Sequence, residues 1–189
     1  PSLYRDAQPW VLAAWRGNDL VTLTVAAPVL AWAAALARRG STRGGLLALG
    51  LLWFNLYNDV YYVFGAALNA AFPLYIALMV LGGATLMSSL RALPLEALSA
   101  RFDADTPARS VGAVLAVVGG LLAAVWLAQW GVYLQSGRAP AIGVEAMRLI
   151  AAMDLSMIAP TLIAGGASLW RRRPWGFVLA PMGAVLGGT

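Results

Sequence analysis

The sequence predicts an all-α fold, a polytopic transmembrane helical bundle of about six spans joined by short loops. Of the 189 residues, 61% are hydrophobic and 11% are charged, and the mean hydropathy is +0.75. A soluble domain carries about a quarter charged residues. Apolar runs of about twenty residues recur along the chain, without the apolar–polar alternation that is typical of barrel strands. We therefore expect an integral membrane protein built of helices.

Five complete spans are predicted, because each apolar run can cross about 30 Å of hydrocarbon at about 1.5 Å per residue. They cover residues 20–37, 45–64, 74–90, 111–134 and 146–170. A sixth span, 175–189, is short, so we expect the sequence to lack residues at one or both ends. Residues 1–189 are predicted to form one membrane domain, with 1–17 as an exterior interfacial segment. No internal repeat is strong enough to indicate inverted symmetry.

The basic residues, which are all arginines, set the predicted orientation. Nine of the thirteen fall in three connections that alternation of the spans places on one side. These connections are Arg38–Arg43, Arg91–Arg109 and Arg171–Arg173. The positive-inside rule puts that side in the cytoplasm. Arginine in place of lysine indicates GC-rich coding, and we expect the plasma (inner) membrane of a bacterium.

The composition also excludes several kinds of chemistry. Cysteine and histidine are both absent. Their absence rules out disulfides, thiol catalysis, His- or Cys-ligated haem, iron–sulfur clusters and ordinary zinc sites. No cofactor and no metal-binding residue is therefore assigned, and a hard cation held by carboxylate and carbonyl oxygens is the alternative that stays open. The net charge of +5 is explained by the loop arginines, so the lipid bilayer rather than nucleic acid is the expected partner.

One polar stretch interrupts the apolar surroundings, the segment FNLYNDVYYVFGAALN at residues 54–69. Asn55, Asp59 and Tyr62 recur at the i, i+4, i+7 spacing of one helix face. Asn58 begins a neighbouring stripe, and Asn69 is expected to cap the turn that follows. A charge at the bilayer centre costs about 3 kcal/mol on insertion scales, so Asp59 is predicted to face the bundle interior.

Further polar side chains fall near the predicted outer side. Asp154 lies well inside the fifth span and is also expected to face the interior. Arg148 is predicted to form a structural ion pair, either with Glu145 or with Asp154. Asp19 stands in RGNDLVTL, a pattern typical of a helix start, which predicts a capping role with ligand binding as the alternative. Trp130 is placed at the outer end of the fourth span.

The predicted cytoplasmic half of the bundle is rich in small residues. Paired glycines occur at 82–83, 119–120 and 165–166. Small residues let helix backbones approach closely. We therefore expect a tightly packed inner half and an outer half that opens into a polar vestibule.

These observations favour binding or transport of a small solute, cation or lipid headgroup in an outward-facing polar pocket. The alternative is a non-catalytic accessory or structural subunit bound to other membrane subunits of a larger complex. An intramembrane enzyme that uses Asp59 and Asp154 as an acid–base pair is less favoured, since the G-x-G-D and G-x-S-x-G motifs are absent. No catalytic residue is assigned. The predicted ligand-binding residues are Asn55, Asn58, Asp59, Tyr62, Asn69, Asp154, Asp19 and Trp130.

Overall fold

The computed structural model describes residues 3–6, 8–103, 105–138 and 140–188. These residues form seven helices and no β-strand, which confirms the predicted all-α fold. The helices are α1 (Pro9–Arg38), α2 (Thr42–Gly65), α3 (Phe72–Arg91), α4 (Leu95–Ser99), α5 (Ala108–Ser136), α6 (Val144–Trp170) and α7 (Gly176–Gly188). The connections between the long helices are short, as the sequence predicts.

Four of these helices, α1, α3, α5 and α6, are long and apolar enough to cross a membrane. Helix α2 has 24 residues and similar length, but its internal amides and Asp59 make it more polar. Helix α7 has 13 residues in the described part of the chain. The helices therefore agree with a membrane protein, while the number of spans, their orientation and the bacterial location stay predictions.

The chain divides into two compact units, one formed by the residues up to Leu93 and the other by Pro94–Gly187. In the first unit, the second half of α1 packs on α2, and α2 packs on α3. In the second unit, α5 and α6 form the main helix pair. Helix α7 packs against α6, where the backbone of Gly176 approaches Leu169.

Helix α1 begins earlier than the sequence predicts. Its N-cap is Gln8, and Pro9 occupies the first helical position, where a missing N–H costs nothing. The helix continues without a break past Asp19. The predicted helix-capping role of Asp19 is therefore wrong, because the N–H groups without helical partners lie in the first turn, which starts at Pro9, and Asp19 lies well inside the helix.

Helices α1 and α6 share a local distortion. Each contains a five-residue π-helical segment, Thr22–Ala26 in α1 and Asp154–Ile158 in α6. A proline follows each segment, in TLTVAAP and in DLSMIAP, namely Pro28 and Pro160. Proline has no N–H to donate and crowds the preceding turn, so the backbone widens there. The distortion puts the carboxylate of Asp154 at the start of a widened turn.

Candidate functional site

In the first unit, aromatic side chains surround the carboxylate of Asp19. Tyr4 donates a hydrogen bond to Asp19 Oδ2 at 2.6 Å, and Tyr62 donates to Asp19 Oδ1 at 2.9 Å. Trp15 is 1% exposed, and its ring centroid lies 4.8 Å from those of Tyr61 and Tyr62. Hydrogen bonds to a charged acceptor contribute about 1.5–3 kcal/mol each. This aromatic cluster therefore fastens the segment before α1 to α1 and α2.

A second carboxylate, that of Asp6, ties the same segment to the loop after α2. Trp15 Nε1 donates to Asp6 Oδ2 at 3.0 Å, and the backbone N–H of Ala67 donates to Asp6 Oδ1 at 3.1 Å. In that loop, the amide of Asn69 bonds Ala67 O and the N–H of Ala71. The side chain of Asn69 thus closes the turn between α2 and α3, as predicted, through both of its polar atoms.

Tyr4 precedes the first helix, and its hydroxyl is shielded from solvent. Burial raises the pKa of Tyr4 well above its ordinary value, and the hydrogen bond to Asp19 raises it further. Tyr4 therefore remains a neutral donor throughout the physiological pH range. In the aromatic cluster, both carboxylate oxygens of Asp19 accept hydrogen bonds, and the rings are in contact with one another. These contacts pack the segment before α1 against α1 and α2, and the predicted ligand-binding roles of Asp19 and Tyr62 stay predictions.

The central polar residues of α2 are arranged differently from the predicted stripe. The buried face carries Leu51, Phe54, Asn58 and Tyr62, and Asn58 is only 6% exposed. Asn58 Nδ2 has no hydrogen-bond partner within the described part of the chain. Asn55 is half-buried, beside rather than on the buried stripe.

Asp59 is half-buried and lies next to a glycine of α3. A Cβ placed on Gly82 would sit 3.6 Å from Asp59 Oδ2, at ordinary van der Waals contact, so the carboxylate lies against α3 at this position. The carboxylate faces α3, which is consistent with its predicted direction away from lipid. Asp59 and Asp154 belong to different units, and each is described within its own unit. The predicted shared pocket of these two residues stays a prediction.

In the second unit, the buried carboxylate of Asp154 accepts a hydrogen bond from an indole. Asp154 is 8% exposed, and Trp126 Nε1 donates to its Oδ2 at 2.8 Å. This bond joins α5 to the π-helical segment of α6. Since a polar group within a membrane helix needs an internal partner, the indole stabilises Asp154 at this depth.

The separation of α5 and α6 changes along their length. A Cβ on Gly112 would lie 2.6 Å from Gly166 O, and one on Gly119 would lie 2.8 Å from Leu162 Cβ. The two backbones therefore approach closely in this half of the pair, as the glycines at 119 and 166 predicted. Beyond them the indole of Trp126 on α5 reaches across to Asp154 on α6. The pair is closed at the Gly112 end and opens toward the loop that joins the helices.

A cavity of about 480 Å³ occupies the open end. It extends from Trp126 past Trp130 on α5 and from Val144 to Leu155 on α6. Its lining consists of aromatic and aliphatic side chains plus one arginine: Trp126, Leu127, Trp130, Tyr133, Val144, Met147, Arg148, Ala151 and Leu155. Trp130 is 55% exposed, so the cavity opens sideways past its ring. The lining is apolar, and the polar vestibule predicted from the acids and amides stays a prediction.

The ion pair predicted for Arg148 is present with Glu145 rather than with Asp154. Arg148 Nη2 bonds Glu145 Oε2, and both side chains are largely exposed at the rim of the cavity. Exposed pairs of this kind contribute about 0–1 kcal/mol to stability. The pair therefore adds little to the fold, and the guanidinium keeps further N–H donors available.

The structure brings the predicted site residues together in two separate groups. Asp19 and Tyr62 meet in the aromatic cluster of the first unit. In the second unit, Trp130 and Arg148 line the cavity, Glu145 pairs with Arg148, and Asp154 bonds the lining residue Trp126. Trp126 was not among the residues predicted from the sequence, although its position one turn before Trp130 was the available signal. The bonds of Tyr4 and Asp6 were not predicted either, because they join residues far apart along the chain.

Among the described residues, no group of three acidic side chains could hold a metal ion. No protein-family model, curated protein or solved structure matches the chain. The candidate site therefore rests on the geometry of this chain alone.

Proposed function

We propose that this membrane protein binds a small amphiphile, with an apolar body and an acidic head, in the cavity between α5 and α6. The observation that carries the proposal is the cavity of about 480 Å³ with an apolar lining and an arginine at its rim. Small-molecule sites typically have volumes of about 300–1,000 Å³, a largely apolar wall and a few placed polar groups. The cavity has each of these properties.

The wall of the cavity fits a hydrocarbon body. Trp126, Trp130 and Tyr133 offer flat rings along α5, and Met147 on α6 is a flexible side chain that adapts to irregular shapes. The hydrogen bond from Trp126 to Asp154 holds the indole in place, so this wall exists before a ligand arrives. A polar solute without an apolar body would have few hydrogen-bonding groups to contact in this cavity.

The rim of the cavity fits an acidic head. Arg148 presents a planar guanidinium with five N–H donors, which matches a carboxylate or phosphate in a bidentate arrangement. Glu145 engages one edge of that guanidinium in the absence of ligand. Since the charged group of the lining is positive, a cationic ligand is disfavoured. A lipid-like acid is therefore favoured over the cation that the sequence also suggested.

The experiment is competition binding with a brominated fatty acid, because bromine quenches the fluorescence of a neighbouring tryptophan. Dibromostearate is titrated into the full-length protein in detergent, and unbrominated stearate is then added in excess. We expect saturable quenching that stearate reverses. Ala151→Phe places a ring in the cavity and abolishes this component, whereas Ala152→Phe, at the adjacent exposed position outside the lining, retains it.

Two outcomes would contradict the proposal. Quenching that rises linearly with the dibromostearate concentration indicates partition into the micelle. An equal loss of saturable quenching in Ala151→Phe and Ala152→Phe indicates a general defect. If neither acid binds and the protein is recovered with other membrane subunits, the accessory-subunit alternative takes its place. Transport of the ligand, rather than binding alone, stays a separate prediction that vesicle flux would test.

A further inference from the structure

A second apolar cavity lies at the closed end of the α5–α6 pair, where α5 begins, α6 ends and α7 begins. Its volume is about 280 Å³. The walls include Phe102 before α5, Val111 and Leu115 on α5, and Phe177 and Pro181 on α7. Phe102 and Phe177 stack with their centroids 4.4 Å apart. The cavity is therefore a preformed pocket with aromatic and aliphatic walls.

The loops that border this cavity are rich in arginine. Arg109 directly follows the lining residue Ala108, and Arg171 and Arg173 lie between the lining residues of α6 and α7. All three are exposed. The charged residues in these loops and the short α4 are Glu96, Arg101, Asp103, Asp105, Arg109, Arg171, Arg172 and Arg173. These are five arginines and three acidic residues, so the net charge of the rim is positive.

Arg172 has a different role from its neighbours. Its guanidinium donates to the backbone carbonyls of Asp103 and Thr106, at 3.1 and 2.8 Å. These bonds fix the loop before α5 against the loop after α6 and thereby shape one edge of the cavity. Arg172 therefore builds the rim, whereas Arg171 and Arg173 present their charge outward.

We propose that this end of the second unit binds an anionic phospholipid, with an acyl chain in the cavity and the phosphate against Arg171 and Arg173. Guanidinium groups bind phosphate through paired, charge-assisted hydrogen bonds. Inorganic phosphate has no acyl chain, so the apolar cavity would add nothing to its affinity. A zwitterionic lipid carries a cationic amine, which the excess of arginines would repel. Basic pockets beside membrane helices favour anionic lipids for the same reason. This site lies at the end of the helix pair opposite to the proposed amphiphile site.

The test is native mass spectrometry of the full chain with phosphatidylglycerol and, separately, phosphatidylcholine. We expect preferential retention of phosphatidylglycerol. The double variant Arg171→Gln with Arg173→Gln should bind it about thirtyfold more weakly, at the strength that a pair of interfacial arginines typically contributes. The matched control, Arg38→Gln with Arg39→Gln, removes the same charge from exposed arginines at the end of α1 and should change binding less than about twofold.

A second variant tests the cavity with every arginine retained. Ala184 lines the cavity, and Ala184→Phe should fill it and reduce phosphatidylglycerol binding about tenfold or more, a loss that corresponds to excluding part of one acyl chain. Ala124→Phe, at an exposed position of α5, is its control. Equal losses for the two arginine pairs would show diffuse attraction and overturn the proposal. Undiminished binding to Ala184→Phe would overturn it as well.

Discussion

The indole Nε1 of Trp126 donates a hydrogen bond to Oδ2 of Asp154 across 2.8 Å, and this bond links α5 to the widened turn of α6. Asp154 is thereby stabilised where lipid would not solvate it, and Trp126 is fixed as a wall of the adjacent cavity. The bond marks the place where the helix pair changes from backbone packing to an open cavity. The stability of the helix pair and the proposed ligand binding therefore depend on the same pair of residues.

Replacing Trp126 by phenylalanine removes the donor and leaves a smaller aromatic ring. We expect the free energy of unfolding to fall by about 1 kcal/mol, the contribution typical of a hydrogen bond between membrane helices. Trp130→Phe is the control, because Trp130 is 55% exposed and should tolerate the change. The measurement is unfolding in mixed detergent micelles. Equal losses in the two variants would show that only ring size matters.

Because α5 and α6 approach closely, alanine substitution should have very different effects on stability at two glycines of α5. A Cβ on Gly112 would meet Gly166 O at 2.6 Å, whereas a Cβ on Gly120 would meet nothing within 4 Å. Gly112→Ala should therefore destabilise by about 1–3 kcal/mol, through overpacking. Gly120→Ala should be neutral or stabilise by up to about 1 kcal/mol, from helix propensity. The measurement is thermal unfolding of both variants. Similar stability of the two variants would contradict the close approach of the helices at the Gly112 end.

Removing the hydroxyl should change the free energy of unfolding differently at two buried tyrosines of the first unit. Tyr62 donates to Asp19, whereas the hydroxyl of Tyr75 has no hydrogen-bond partner among the described residues. Tyr62→Phe should lower the free energy of unfolding by about 1–3 kcal/mol, and Tyr75→Phe should leave it unchanged or raise it. Their rings lie 5.0 Å apart, so the comparison holds the surroundings nearly constant. A larger loss from Tyr75→Phe would refute the assigned bonds.

The raised pKa of Tyr4 has a consequence at high pH. An unfolded tyrosine loses its proton near pH 10, while burial keeps the folded Tyr4 protonated above that value. The contribution of Tyr4 to stability is therefore present below about pH 10 and is lost as the pH rises further. Ultraviolet absorbance of tyrosinate should be the same in the wild type and in Tyr4→Phe up to about pH 11. One extra tyrosinate in the wild type near pH 10 would contradict the buried position.

The sequence was a good guide to the helices because hydrophobic runs, prolines and glycines act locally. It predicted the turn role of Asn69 and the packing of Gly119 and Gly166. It placed the start of the first helix too late, because RGNDLVTL resembles a helix start and Asp19 is instead bonded by Tyr4 and Tyr62. Those partners come from distant parts of the chain, which local patterns do not reveal.

The site was harder to predict than the fold for the same reason. Asp154 and Trp130 were identified as polar or interfacial residues, but their relation depends on Trp126 and on how far α5 and α6 diverge. The predicted polar vestibule relied on counting acids and amides. The cavity between α5 and α6 is apolar because both helices line it with aromatic and aliphatic side chains, and Asp154 is bonded by the indole of Trp126.

The most direct test of ligand binding between α5 and α6 is photolabelling with a diazirine fatty acid, followed by mass spectrometry of the labelled peptides. The result expected is labelling concentrated at residues 126–133 and 144–155, and lost in Ala151→Phe but not in Ala152→Phe. Labels distributed evenly over exposed apolar positions, such as those of α3, and insensitive to Ala151→Phe would contradict a binding cavity at this place.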